Sequence, residues 1–304
     1  MDLSREVALI GCSTYGREML KGRIDRLCHT LGFSVCSGSR LLLKPNLVSA
    51  VGHQRGSVTH PKFVAAVAAW CIDHGARVTI GDSPAFGTAA HVMQKSGYLE
   101  ALKGLPVTVI NFKKKKPVKT ANGFNIVLAG EIDEYDFLIN LPKIKAHNQL
   151  RLTMAVKNYF GVVLSWRKAF AHMQHGNKYF AGLIIDLLES VPMGISIADG
   201  VSAMHKQGPV GGQPFALSLI AASFNPVALD TAIMDILGVE PWVSPLWQEA
   251  SARKKTGCNI AELGFPLAQP AELAVRGFEV PEELLPVRFQ VHSFMFNSIR
   301  KLFS

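Results

Sequence analysis

Between Phe137 and Ile185 the chain carries Lys143, Lys145, Arg151, Lys157, Arg167, Lys168 and Lys178 but not one Asp or Glu. His147, His172 and His175 lie in the same stretch, beside the amides Asn148, Gln149, Asn158, Gln174 and Asn177. A solvated helix face ordinarily mixes both charge signs, because opposite charges spaced by four residues aid stability and solubility. So long an unbalanced run calls for negative charge from elsewhere: a substrate, a cofactor or a nucleic acid.

Lys143 and Lys145 flank Ile144, so in extended backbone their side chains share one side. Two such cations, followed by His147, suit a phosphate or a dicarboxylate. The plain alternative is an edge strand guarded by lysines, and the apolar run before them counts against it. Lys157 and Asn158 stand in a segment apolar over most of its circumference, where a buried lysine needs a partner or a polar cavity. Lys168 and His172 share a face if their segment is helical. Asp82 with Ser83, Asp199, and Lys44 with Asn46 each follow a short apolar run; taken singly they are turn residues and solvated charges. Gly208-Pro209-Val210-Gly211-Gly212 can present backbone N–H groups to an anion, but it lacks the P-loop and dinucleotide spacings, and a plain hairpin or loop is the better reading.

Short apolar runs alternating with longer amphipathic segments predict the elements that position these residues. Strands are expected at Val7–Ile10, Arg40–Leu43, Arg77–Ile80, Val107–Asn111, Phe124–Leu128, Phe137–Leu141, Ile195–Ala198 and Leu217–Ala221. Helices are expected at Arg17–Leu31, Pro61–Asp73, around Thr88–Lys95, at Asn148–Phe160 and Phe180–Leu188, and at Asn225–Leu237 ending on Gly238. Lys113–Lys116 with Lys119 is expected as a solvated loop beside a turn at Asn122-Gly123. The fold class is α/β, with a largely parallel or mixed sheet flanked by helices, in a single unit over residues 1–304 with an irregular C-terminal part. Ligands of open parallel sheets bind outside the carboxyl ends of the strands. The clusters at Lys44, Asp82, Lys143 and Asp199 would then meet in one crevice, with the loop holding His53, Arg55, Thr59 and His60 as a lid.

The 304 residues, 48% of them hydrophobic and 18% charged, suit a globular core, and the net charge of +9 is concentrated in the acid-free stretch and the lysine run. Five scattered cysteines without CxxC spacing point to a reducing compartment. No secretory h-region and no apolar run of about 20 residues is seen, so the expected location is cytoplasmic. The tail Phe294, Phe296, Ile299, Leu302 and Phe303 is amphipathic and is expected to pack on the domain or on a second subunit, which leaves a homo-oligomer open.

Taken in order, Lys44-Pro45-Asn46-Leu47, His60-Pro61, Gly81-Asp82-Ser83-Pro84, Asn140 to His147, Lys157-Asn158-Tyr159-Phe160-Gly161, Lys168 to His172, Asp199-Gly200 and Gly208-Pro209 resemble the DUF362 family, over roughly residues 40–265, leaving about 266–304 as a C-terminal extension. The resemblance implies an α/β domain and one common site. Many relatives add a ferredoxin-like iron–sulfur module; this chain lacks its closely spaced cysteines, so no iron–sulfur cluster is expected. Relatives also tend to carry an acidic residue before Gly-Pro where this chain has His205-Lys206-Gln207, which favours an anion over a metal.

The leading expectation is an enzyme for a small anionic metabolite. Lys44, Asn46, Ser83, Lys143, Asn158, Lys168 and Gly208 would bind it, and Lys145, His147, Lys157, His172, Asp82 and Asp199 would carry out the chemistry. Three alternatives stand beside it: a non-catalytic carrier of an anionic cofactor, a metal-assisted variant with a divalent ion on Asp82, His147, His172 and Asp199, and a nucleic-acid binder. The aromatics are not interleaved with the basic residues as stacking platforms, which counts against nucleic acid.

Overall fold

A computed structural model describes residues 2–50, 53–85, 87–164, 176–192 and 194–284. Its frame is a mixed sheet in the order β1 (Ala8–Gly11), β12 (Leu219–Ser223), β10 (Ser196–His205), β7 (Phe137–Leu141), β2 (Arg40–Pro45), β3 (Arg77–Asp82) and β4 (Val107–Asn111). β12 is antiparallel to both β1 and β10, while β10, β7, β2, β3 and β4 are mutually parallel. Within this row only β12 runs against the others, so the carboxyl ends of the other six strands lie along one edge.

Alternation along the strands builds the layers. Leu41 and Leu43 of β2 join a core with helices Arg17–Thr30 and Pro61–Asp73, whereas Leu42 faces a second core with helix Gly176–Ser190. Helix Pro226–Leu237 covers the β10–β12–β1 end. Asn225 caps that helix through the Val227 and Ala228 amides, and Gly238 ends it in the left-handed conformation, where a Cβ would be strained. Pro61 opens its helix at the first turn, where the missing N–H costs nothing.

Pro142 follows β7 and cannot donate to a ladder. After it the chain resumes as β8 (Lys143–His147), which runs parallel to β10 and antiparallel to β9 (Arg151–Thr153). The helix expected over Asn148–Phe160 is thus mostly absent: only Ala155–Asn158 is α-helical, followed by a 3-10 turn at Tyr159–Val162. Leu150, Leu152, Met154 and Val156 recur every second residue, which is a strand signal. The lysine run also differs from expectation. Lys115–Lys119 is strand β5, paired antiparallel with β6 (Asn125–Ala129), and Lys116 bonds to Asp133 at 2.6 Å while Lys114 pairs with Glu134. From Pro241 onward short helical turns predominate, and residues before 285 pack back on the body: Ala268 N donates to Leu9 O and Val275 N to Ile236 O. The aromatic tail from Phe294 lies outside the described residues.

Candidate functional site

Register brings the polar residues together. Lys44 is the partner of Asn140 between β2 and β7, and Lys143 is the partner of Asp199 between β8 and β10. Lys44 Nζ lies 2.9 Å from Asp82 Oδ1, and Lys143 Nζ lies 2.8 Å from Asp199 Oδ2. All four side chains are buried, at 4% exposure or less, so each charge relies on its partner rather than on water. Asp82 Oδ2 also accepts the Leu47 amide at 2.9 Å. Asp199 accepts the Tyr15 hydroxyl at 2.8 Å and the His60 amide at 2.8 Å.

Lys145 differs from its neighbours. Its Nζ donates to Asn46 Oδ1 at 2.6 Å and to the Ser57 carbonyl, both neutral acceptors, and its side chain has no exposure. Burial, joined by the charges of Lys143 and Lys44, pushes its ammonium down to about 7 despite the opposing pull of Asp82. Burial also lowers the Lys44 ammonium, against the pull of Asp82. A chain of amides ties the cluster to the frame. Asn46 Nδ2 donates to Asn158 Oδ1 at 2.7 Å, Asn158 Nδ2 to Asn140 Oδ1 at 2.8 Å, and Asn140 Nδ2 to Ser196 Oγ at 3.1 Å. Gly161 closes over the Lys44–Asp82 pair so tightly that a Cβ there would sit 2.1 Å from Asp82 Oδ1 and 2.2 Å from Lys44 Nζ.

His147 is buried; its Nδ1 accepts the Gln149 and Leu150 amides at 3.1 and 3.2 Å, which places the ring proton of the neutral form on Nε2. Burial, then Lys157 and Lys145, hold it well below its usual range. Lys157 Nζ lies over the Phe160 and Phe180 rings, 4.3 and 5.0 Å from their centres. Ser83 is half-buried, and its amide donates to Gly161 O at 3.1 Å. The Gly208 amide is bonded to Asn148 Oδ1 at 3.0 Å within the protein. Lys168 and His172 lie outside the described residues. Among the described residues no group of three His, Cys, Asp or Glu side chains gathers to hold a metal ion.

Sequence reasoning missed Tyr15. Its oxygen accepts Lys143 Nζ at 3.0 Å and the Ser202 amide at 3.2 Å while donating to Asp199, and its ring stacks on His60 at 3.6 Å and 11°. Burial, then Asp199, raises its phenol far above the ordinary value, so it acts as a donor and not as an anion. The rule applied to the other strands would have found it, because Cys12-Ser13-Thr14-Tyr15 follows β1 at the same edge. His60 is held neutral, its imidazole lowered to about 4 mainly by burial, and its Nδ1 accepts the Lys62 amide. His53 Nδ1 meets the Ser96 carbonyl at 2.9 Å, and its ring stands edge-on to His60 at 4.7 Å. The half-buried Tyr15, His60, His53 and Ser83 form the accessible margin of an otherwise buried cluster.

A family model described as a domain of unknown function (DUF362) matches residues 41–235. The chain belongs to the DUF362 family. The matched span lies within the 40–265 suggested by the motifs and contains the Lys44, Asp82, Lys145 and Asp199 clusters. A thylakoid-associated protein of Synechocystis sp. is 37% identical over 293 residues, which cover 94% of this DUF362 chain and 90% of that protein. Among solved structures, the lactate racemase apoprotein of Thermoanaerobacterium thermosaccharolyticum aligns over 77% of this chain with a TM-score of 0.47 and 10% identity, and this chain spans 58% of its length. Among the described residues no helix is long and apolar enough to cross a membrane.

Proposed function

We propose that this DUF362 protein is an enzyme acting on a small phosphate- or carboxylate-bearing metabolite at the Lys145 cluster. The observation that carries this reading is a buried group of three lysines facing only two carboxylates, with Lys145 left to neutral acceptors. An anion arriving beside Lys145 would complete the charge balance that the protein leaves open. Lys44 and Lys143, oriented by Asp82 and Asp199, supply positive potential. Lys145 exchanges a proton near neutral pH, where a general base or acid is most effective. His147 is held beside Lys145 and Lys157 by the Gln149 and Leu150 amides on its Nδ1. Entry lies at the Tyr15–His60 margin.

A non-catalytic carrier is the second reading. It draws on the contacts that hold both carboxylates within the protein, Asp82 with Lys44 and the Leu47 amide, and Asp199 with Lys143, Tyr15 and the His60 amide. Incubating the protein with pooled phosphorylated and carboxylated metabolites, followed by mass spectrometry, separates the two. Consumption of one metabolite by the wild type and none by a folded Lys145→Ala variant is expected of an enzyme. Equal consumption by both contradicts the role given to Lys145, and retention without consumption selects the carrier. The thylakoid-associated relative and the excess of basic residues also support residence at an anionic membrane surface in place of the cytoplasm, which cell fractionation decides.

A further inference from the structure

Lys145 carries an inference that rests on the anion-binding reading and names its substrate class. An ammonium has three N–H donors; a neutral amine has two and a lone pair. Among the described residues Lys145 Nζ has two acceptors, Asn46 Oδ1 and the Ser57 carbonyl. Both N–H bonds of an amine are thereby satisfied, and the lone pair is left over. The neighbouring carboxylates are committed elsewhere, Asp82 to Lys44 and the Leu47 amide, Asp199 to Lys143, Tyr15 and the His60 amide. A desolvated lysine beside other cations is one way in which an amine is made nucleophilic at neutral pH.

We propose that Lys145 condenses with the carbonyl carbon of a small aldehyde or keto compound bearing a carboxylate or phosphate, and holds it as an imine. The nitrogen lone pair forms the C–N bond as the carbonyl π pair moves to oxygen. A proton passes from nitrogen to that oxygen, giving a carbinolamine. The C–O bond then breaks, water leaves with the second proton, and C=N forms; no oxidant or reductant is consumed. The anionic group of the substrate lies by Lys143 and Lys44. The lowered Lys145 ammonium, about 7, agrees with the donor count.

The test uses the whole chain, formaldehyde and glyoxylate as carbonyl probes, and cyanoborohydride to trap any imine, with peptide mapping at pH 7. The expected result is glyoxylate labelling of Lys145 at least tenfold faster than of the exposed Lys103, slowed by sulfate at Lys145 alone. If Lys103 is labelled while Lys145 stays unmodified by both probes from pH 7 to 9, the inference is overturned. Should sulfate still bind by calorimetry in that case, the imine fails and the anion site stands; if it does not bind, both fail. Formaldehyde labelling of Lys145 without faster reaction by glyoxylate overturns the substrate class.

Discussion

A buried ion pair is costly to break on one side. Replacing Asp82 by Asn strips Lys44 of its counter-charge at a site with no exposure, and a loss of about 3–5 kcal/mol in urea unfolding is expected. The double change Lys44→Met with Asp82→Leu should recover most of it. Lys145 makes a prediction of opposite character. Its folded value of about 7 lies below the 10.5 of a free lysine, so between these pH values the unfolded chain binds more protons. Stability therefore rises with pH across that window, by up to about 1.4 kcal/mol per unit from this group, and is unaffected by it below pH 7. Denaturation at pH 7, 8.5 and 10 should show that slope reduced in Lys145→Met. Residue types made part of this site legible in the sequence, since an acid-free stretch with paired lysines pointed to missing negative charge. They did not reveal which cation each carboxylate pairs with, Asp82 with Lys44 and Asp199 with Lys143, because those partners depend on strand register.

At the scale of elements, short connections hold the cluster in place. Gly161→Ala would drive a Cβ into both members of the Lys44–Asp82 pair, with an expected loss of at least 3 kcal/mol. Gly22→Ala, in helix Arg17–Thr30 with nothing within 4 Å of the added Cβ, should instead stabilise by about 0.5–1 kcal/mol. Asp230, on helix Pro226–Leu237, accepts the Ala155 and Val156 amides at 2.7 and 3.1 Å and so fixes the short helix that carries Lys157 and Asn158. Burial raises its carboxyl to about 7. Asp230→Ala leaves two buried amides unpaired, and each is expected to cost about 1–3 kcal/mol in thermal or urea unfolding. Helices with a cap signal were readable to within a residue: Pro61–Asp73 has the expected bounds, and the helix expected from Asn225 begins at Pro226, with Asn225 as its cap, and ends on Gly238. The β9 region was misread because apolar residues every second position also fill a helix surface when the segment is nearly all apolar. Nothing local to Lys115–Lys119 shows that β6 will pair with it.

For the whole molecule, the sheet is the unit that makes the site. Strands distant in sequence, β2 and β3 on one side and β7, β8 and β10 on the other, deliver Lys44, Asp82, Lys143, Lys145 and Asp199 to one edge. Breaking any of these pairings disperses the cluster. Residues 1–304 are accordingly predicted to unfold in one cooperative transition, and two separated transitions would contradict a single unit. The α/β alternation was plain from periodicity, whereas the order of strands rests on pairings between separate segments of the chain, such as Ala8 with Ala222 and Leu41 with Phe137, for which a single sequence carries no local signal. The central claim is that an anion binds beside a neutral Lys145. Calorimetric titration with sulfate at pH 8, in buffers of differing ionisation enthalpy, tests it most directly, since sulfate itself does not titrate there. Binding should take up close to one proton in the wild type and none in Lys145→Met. Sulfate binding with no proton uptake, or with uptake unchanged in the variant, would contradict it.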